Sequence, residues 1–210
     1  KLKDNLAYVA AGRAGMLTVD VSDSGHPQLV NTTRVRDQAN GIAISGDYAY
    51  VADFSYAYPD HGMHIYDILT LTPVEKSFTQ IFGRTYGGVA AEGTKAVFTG
   101  GWVGIAAIDV QNVNFPEVKF ILPQTIETLD VEISGQYLYA LSRNSAQSNL
   151  YIYDLANPVS PRHVGSFKLD SPETMVVEGN YAYVSDIQTV KIINISNPAN
   201  PVLTGTYTAP

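Results

Sequence analysis

The segment DFSYAYPDHGMH, residues 53–64, concentrates side chains that could bind a metal or a partner. His61 and His64, with Asp60, offer imidazole and carboxylate ligands suited to a transition metal. A histidine pair three residues apart lacks a third fixed ligand, however, and His64 is placed at the start of a strand. The tyrosines favour a recognition loop instead, because tyrosine gives a large contact area at low entropy cost. The candidate binding residues are Asp53, Phe54, Tyr56, Tyr58, Asp60 and His61, with Trp102 from a later loop.

A second candidate group consists of oxygen-bearing side chains, each in a segment that leads into a repeated block. These residues are Asn40, Glu127, Asp130 and Glu173. If the segments converge, their oxygens could hold a cation such as Ca²⁺. The residue pattern favours a plainer interpretation, in which they form a solvated acidic rim offset by Arg36 and Arg84.

A corner with the pattern Asx-x₅₋₆-Pro occurs five times, at intervals of roughly 40 to 47 residues. Asp and Asn side chains bond to the backbone two residues further on, and proline presets φ for a turn. Proline at the start of a strand also indicates an edge strand, whose outer N–H groups need no partner. The five corners are DVSDSGHP (20–27), DILTLTP (67–73), DVQNVNFP (109–116), DLANPVSP (154–161) and NISNPANP (194–201).

A second block precedes four of these corners, and the chain enters the equivalent of this block at its start. The blocks are GIAISGDYAYVAD (41–53), GVAAEGTKAVFTG (88–100), DVEISGQYLYALS (130–142) and TMVVEGNYAYVSD (174–186). Block and corner together give four short strands per unit, with no apolar period of 3.6 residues. Four antiparallel strands at this spacing are typical of a β-propeller blade.

The sequence therefore predicts an all-β protein with a single propeller domain over residues 1–210. The repeat units are approximately 1–35, 36–83, 84–123, 124–169 and 170–210. These units either close a ring of about five blades or form part of a larger ring.

Alternation of large and small side chains in the second strand predicts how the blades stack. In YAYVAD the tyrosines point to one face and the alanine to the other. We therefore expect Tyr50, Tyr139 and Tyr183 to be buried between blades, with Ala49 and Ala182 against a neighbouring blade.

The blocks GIAISGDYAYVAD and VKIINISNPANPVLTGTY resemble the LVIVD repeat family. The resemblance covers essentially the whole chain, but the third unit departs from it with Lys95 and Val97 in place of tyrosines. It implies a propeller and a secreted or cell-surface context. It supplies no catalytic residue, because the repeated motif is a packing motif.

Composition excludes several functions. The 210 residues are 45% apolar and carry a formal net charge of −7, with no basic run of the kind that binds nucleic acid. No apolar stretch approaches the roughly 20 residues that span a membrane, so no direct membrane insertion is expected. The absence of cysteine excludes disulfides and cysteine–zinc sites. The first residues, KLKDNLAYVA, do not resemble a signal peptide and lack an initial Met, which predicts a chain cut from something longer.

The main functional hypothesis is a non-enzymatic binding or scaffold propeller with a protein or glycan partner and no cofactor. Its expected location is extracellular, cell-surface or periplasmic, and its oligomeric state is left open. The alternative is a metal-dependent propeller hydrolase, similar to lactonases or phosphotriesterases, with a divalent cation at the channel mouth. A partner is expected on the face that carries the variable loops between second and third strands.

Overall fold

A computed structural model describes residues 1–54, 61–81, 88–99, 104–122, 127–143, 147–157 and 160–208. Within these ranges the backbone forms strands, turns and bends. None of the described residues forms an apolar helix of the length that crossing a membrane requires. The strands build five four-stranded antiparallel sheets, arranged as five blades of a β-propeller. The predicted fold class is thus confirmed.

The four strands of each blade follow one another in chain order. Blade one comprises β1 (Leu2–Lys3), β2 (Leu6–Ala10), β3 (Met16–Asp20) and β4 (Gln28–Thr33), and blade two comprises β5 (Gln38–Ser45), β6 (Tyr48–Phe54), β7 (Gly62–Asp67) and β8 (Val74–Gln80). Blade three comprises β9 (Val89–Glu92), β10 (Lys95–Thr99), β11 (Ile105–Asp109) and β12 (Glu117–Leu122). Blade four comprises β13 (Glu127–Ser134), β14 (Tyr137–Arg143), β15 (Ser148–Asp154) and β16 (Arg162–Leu169), and blade five comprises β17 (Pro172–Glu178), β18 (Tyr181–Asp186), β19 (Thr189–Asn194) and β20 (Val202–Thr208).

The antiparallel order sorts the connections into two ends of the propeller. We call one end the loop face, which carries the loops between second and third strands and the connections between blades. The other end is the corner face, which carries the tight turns between first and second strands and the Asx-Pro corners. The described ends of the predicted binding segment, residues 53–54 and 61–64, lie on the loop face.

Each corner is closed as its sequence predicts. The side-chain oxygen of the Asx residue accepts a hydrogen bond from the backbone N–H two residues further on, at 2.8 to 3.1 Å, in all five corners. The proline then immediately precedes the fourth strand. The prolines are Pro27, Pro73, Pro116, Pro161 and Pro201.

The pairing between third and fourth strands shifts register at the same level in every blade. The shifts fall at Thr18/Val19, Ile65/Tyr66, Ala107/Ile108, Ile152/Tyr153 and Ile192/Ile193. Such β-bulges bend the strand and increase its twist. The repeated unit therefore includes a fixed irregularity next to its outermost strand.

Four hydrophobic clusters hold the described parts of the blades together. They join blade one to two, two to three, three to four and four to five. In each of the second and fourth blades the tyrosine side meets the following blade. Tyr50 packs with Ala96 and Phe98, and Tyr139 packs with Ala182 and Val184. The small-residue side meets the preceding blade, as Ala49 and Val51 do with Tyr8.

The expected burial of the tyrosines is confirmed for two of the three positions. Tyr50 is 1% exposed and Tyr139 is 3% exposed, while Ala49 and Ala182 are fully buried. The prediction is wrong for Tyr183, which is 37% exposed. The strand phase is right, since Ala182 packs against blade four, but no described cluster covers the tyrosine side of blade five.

Candidate functional site

Asp53 ends the second strand of blade two on the loop face, and its side chain is fully buried. Its carboxylate accepts backbone hydrogen bonds from Asp37 at 3.2 Å and from Gln38 at 2.8 Å. Asp37 lies in the connection that enters blade two, and Gln38 begins the first strand of that blade. The carboxylate of Asp53 therefore fastens this connection to its blade and does not lie on the surface of the loop face.

His64 is buried beside Asp53 and contacts two carboxylates. Its Nε2 lies 3.0 Å from Asp53 Oδ2, and its Nδ1 lies 2.8 Å from Glu75 Oε1. Each ring nitrogen thus has a carboxylate oxygen within hydrogen-bond distance. The ring of Phe78 packs at 4.6 Å from the imidazole, measured between ring centroids. Both ring nitrogens are engaged within the blade.

Blade five repeats this arrangement with a lysine in place of the histidine. Asp186 is buried and accepts hydrogen bonds from the backbone of Asp170 and Ser171. Lys191 occupies the position of His64, since it pairs with Val184 in the way that His64 pairs with Val51. The ammonium of Lys191 contacts Asp186 and lies 2.6 Å from Asp170 Oδ2.

The charges of Asp186 and Lys191 stabilise one another. Burial alone would raise the pKa of the Asp186 carboxyl, but hydrogen bonds from Lys191 and from the backbone of Asp170 and Ser171 lower it below its ordinary value. Burial likewise opposes the charge of Lys191, yet its hydrogen bonds to the two carboxylates raise its pKa. In blades two and five, a buried Asp thus contacts a basic side chain of the third strand and binds the backbone that enters the blade, an arrangement that we call the clamp.

The remaining residues of the predicted binding segment are only partly described. Phe54 is half-buried, and its ring lies 5.8 Å from the ring of His61, which is itself buried. Tyr56, Tyr58, Asp60 and Trp102 lie outside the described residues, as does Arg84. The binding role of these side chains therefore stays a prediction.

At the centre of the propeller, three of the four predicted channel residues line one cavity of ≈ 230 Å³. Asn40, Asp130 and Glu173 belong to its lining, together with Lys1 and Glu132, whereas Glu127 does not. Asp130 Oδ2 accepts hydrogen bonds from the Thr174 hydroxyl at 2.9 Å and from the Met175 backbone at 3.0 Å.

The hydrogen bonds of Asp130 connect the first strands of blades four and five. Lys1 Nζ lies 2.8 Å from Glu132 Oε1, so the chain's own cation already faces this acidic lining. In the described ranges, no three His, Asp or Glu side chains are arranged to hold a metal ion.

A cavity of ≈ 400 Å³ on the loop face has mainly basic residues among its charged lining, in contrast to the acidic cavity at the centre. Three arginines line it: Arg13 from the loop of blade one, and Arg34 and Arg36 from the connection between blades one and two. Asp37 is the acidic residue in the lining. None of the three guanidinium groups forms an ion pair with any residue that the structure describes. Arg36 is held over the ring of Phe78, 4.0 Å from its centroid.

The sequence profile of the LVIVD repeat matches residues 1–34, 37–68, 127–168 and 173–209. These ranges cover blades one, four and five and the first three strands of blade two. The chain belongs to the LVIVD repeat family. No curated protein matches the sequence. The unmatched stretch contains blade three, where Lys95 and Val97 replace the tyrosines of the repeat.

Several solved structures resemble this LVIVD propeller at low sequence identity. A protein from Lactobacillus plantarum superposes with a TM-score of 0.79 at 10% identity, over 97% of this chain and 67% of that one. A functionally unknown protein from Desulfotomaculum acetoxidans gives a TM-score of 0.77 at 13% identity, over 99% and 68%. A periplasmic gluconolactonase from Pseudomonas aeruginosa gives 0.71 at 12% identity, over 98% and 68%. At these identities the likeness shows the fold alone.

Sequence reasoning missed both the clamp and the arginine cavity. The clamp had a signal, because Asp53 and Asp186 end the same motif in two repeats, and a residue that recurs with the repeat serves packing. The arginine cavity had none, since Arg13 is 21 residues from Arg34 in a different loop and only the fold brings them together.

Proposed function

We propose that this LVIVD propeller is a non-enzymatic binding or scaffold protein that engages a protein or glycan through its loop face. The supporting observation is the arginine-lined cavity formed by Arg13, Arg34 and Arg36. Guanidinium groups bind carboxylate, sulfate and phosphate in bidentate geometry. Their concentration in one cavity of a chain with a net charge of −7 favours a partner that carries such acidic groups.

The likeness to a periplasmic gluconolactonase and the family membership favour an extracellular, cell-surface or periplasmic location. The gluconolactonase likeness also keeps the metal-dependent hydrolase as the alternative. The contacts of Asp130 favour the binding role, because this carboxylate already accepts hydrogen bonds from its own strand and from the neighbouring blade.

Retention on immobilised polysaccharides tests the proposal. Wild-type protein should bind a sulfated and a uronic-acid polysaccharide, should not bind uncharged dextran, and should be released as salt screens the contacts. Arg34→Ala/Arg36→Ala should weaken binding at least about tenfold, the effect of losing one to two charge-assisted contacts. Arg162→Ala is the matched control, because it removes a guanidinium on the corner face of blade four.

Thermal unfolding of each variant shows whether the fold is intact. Equal retention of the double variant and of Arg162→Ala would contradict the role of the cavity. An absence of any binding to acidic material would remove its support for the proposed function.

A further inference from the structure

The way in which blades meet is the same at three of the four described boundaries. A second strand with large side chains on its following side packs against the opposite side of the next blade, which presents Ala, Val and, in blade three, Phe98. Tyr8 meets Ala49 and Val51, Tyr50 meets Ala96 and Phe98, and Tyr139 meets Ala182 and Val184. In blade three, Val97 takes the tyrosine position and meets blade four.

Blade five presents the same following side without a cover. Val176, Tyr181, Tyr183 and Val190 share this side through their register in β17, β18 and β19. Val176 is 56% exposed, and the other three are also exposed. Tyr139, at the position of Tyr183 one blade earlier, is 3% exposed. A sheet face of this kind is buried at every other described boundary.

Blade one has an uncovered side as well. Val9 occupies the position of Val51, which is fully buried against blade one, yet Val9 is exposed, as is Leu2 in the first strand. The described residues thus form four inter-blade cores for five blades. A closed ring of five blades would require a fifth core, between blades five and one.

The two uncovered sides specify what fits between them. The side on blade five needs a neighbour with small and branched residues, and the side on blade one needs a neighbour with large ones. One blade of this repeat carries both, on opposite sides. A second copy of residues 1–210 that covered one side in a head-to-tail contact would present its own uncovered side to a further copy.

The lengths of the similar structures agree with this reading. The five blades cover 67–68% of three such chains. At equal blade size, that corresponds to about seven blades, within the usual range for propellers.

We propose that polypeptide outside residues 1–210, continuous with this chain, supplies further blades of the same repeat that pack between blade five and blade one and complete the ring. The inference rests on packing and is independent of the proposed binding function. It assigns the exposed faces of blades five and one to an intramolecular interface.

Thiol labelling provides the test, because the natural chain has no cysteine. Tyr183→Cys, and Val176→Cys as a second probe of the same face, are compared in residues 1–210 and in the protein translated with its natural flanking sequence. Phe115→Cys is the control, since Phe115 lies at the corner face of blade three and is 77% exposed. Maleimide reaction rates are measured under native conditions.

In residues 1–210, all three thiols should react at similar rates. In the protein with its flanking sequence, the thiols at positions 183 and 176 should react at least about 100-fold more slowly, as expected for a buried site that reacts only through local opening. The control thiol should react equally in both proteins.

Equal rates for position 183 in the two proteins would overturn the proposal. A gene that encodes no repeat beyond these residues would overturn it too. Protection that instead rises with the concentration of residues 1–210, together with oligomers in light scattering, would assign the face to a second copy.

Discussion

Tyrosines at one repeat position should differ sharply in their contribution to stability, which depends on whether a following blade covers them. Tyr50 is fully buried against blade three, and burial raises the pKa of its hydroxyl to about 12. Tyr183 is 37% exposed at the uncovered side of blade five. Truncation to alanine removes the same atoms from both positions, so the pair isolates the effect of the neighbouring blade.

For Tyr50→Ala we expect a loss of about 3 to 5 kcal/mol, the range for emptying a buried aromatic site. Tyr183→Ala should cost about 1 kcal/mol or less, because little cavity forms at a surface position. At roughly 2 to 4 °C per kcal/mol for a chain of this size, Tyr50→Ala lowers Tm by about 6 to 20 °C.

Urea unfolding monitored by circular dichroism, with residues 1–210, measures both variants against wild type. Tyr139→Ala serves as a second buried example and should resemble Tyr50→Ala. If Tyr183→Ala costs as much as Tyr50→Ala, the side chain is covered in solution and the assignment of an open boundary fails.

Further predictions concern the clamps, a close contact and metal content. Because the folded pKa of Asp186 is lowered, its stabilisation is fully present above the unfolded value of about 3.9 and is lost as pH falls through the folded value. Asp186→Asn should therefore cost about 2 kcal/mol at pH 7 and flatten the acid limb of a stability–pH curve, and an unchanged acid limb would contradict the clamp. Gly165→Ala should lower Tm, because its Cβ would lie 2.1 Å from the Pro198 carbonyl oxygen of blade five, and a Tm equal to wild type would show that this approach is not fixed. Elemental analysis of protein prepared without chelator should find no more than about 0.2 divalent cation per chain, and about one Ca²⁺ per chain would favour the hydrolase alternative.

The architecture was predictable because each repeat contains the residues that determine its turns and the sides of its strands. The Asx side chains bond to the backbone as their turns require, and Ala49 and Tyr50 lie on opposite sides of a blade. These features depend on residues close in sequence or on the alternation of a single strand. Local chemistry was enough to predict them.

The error at Tyr183 has a different origin. Its motif, YAYVSD, is nearly the same as that of Tyr50, so the sequence predicts the same packing side for both. Burial also requires a following blade, and a repeat motif does not state which repeat is its neighbour. The alternation within a strand predicts which side of the blade a side chain lies on. It does not predict whether a neighbouring blade packs against that side.

The candidate sites were less predictable, because they depend on where separate loops meet. Asp53 was predicted on the binding face and His64 as a possible metal ligand, yet the fold uses both inside blade two. Arg36 was interpreted as a counter-charge for the acidic rim. In the structure it lies over Phe78 beside two other arginines.

The repeated bulge and proline affect how these molecules behave at high concentration. Each fourth strand is the last of its sheet and leaves one backbone edge without a partner strand. Such edges template pairing between chains, and regular, flat edges lead to cross-β fibres. In every blade a proline precedes this strand and a bulge twists it against the third strand. The proline and the bulge therefore disfavour pairing of these five edges with the edges of other molecules, so the repeat itself limits aggregation through its outermost strands.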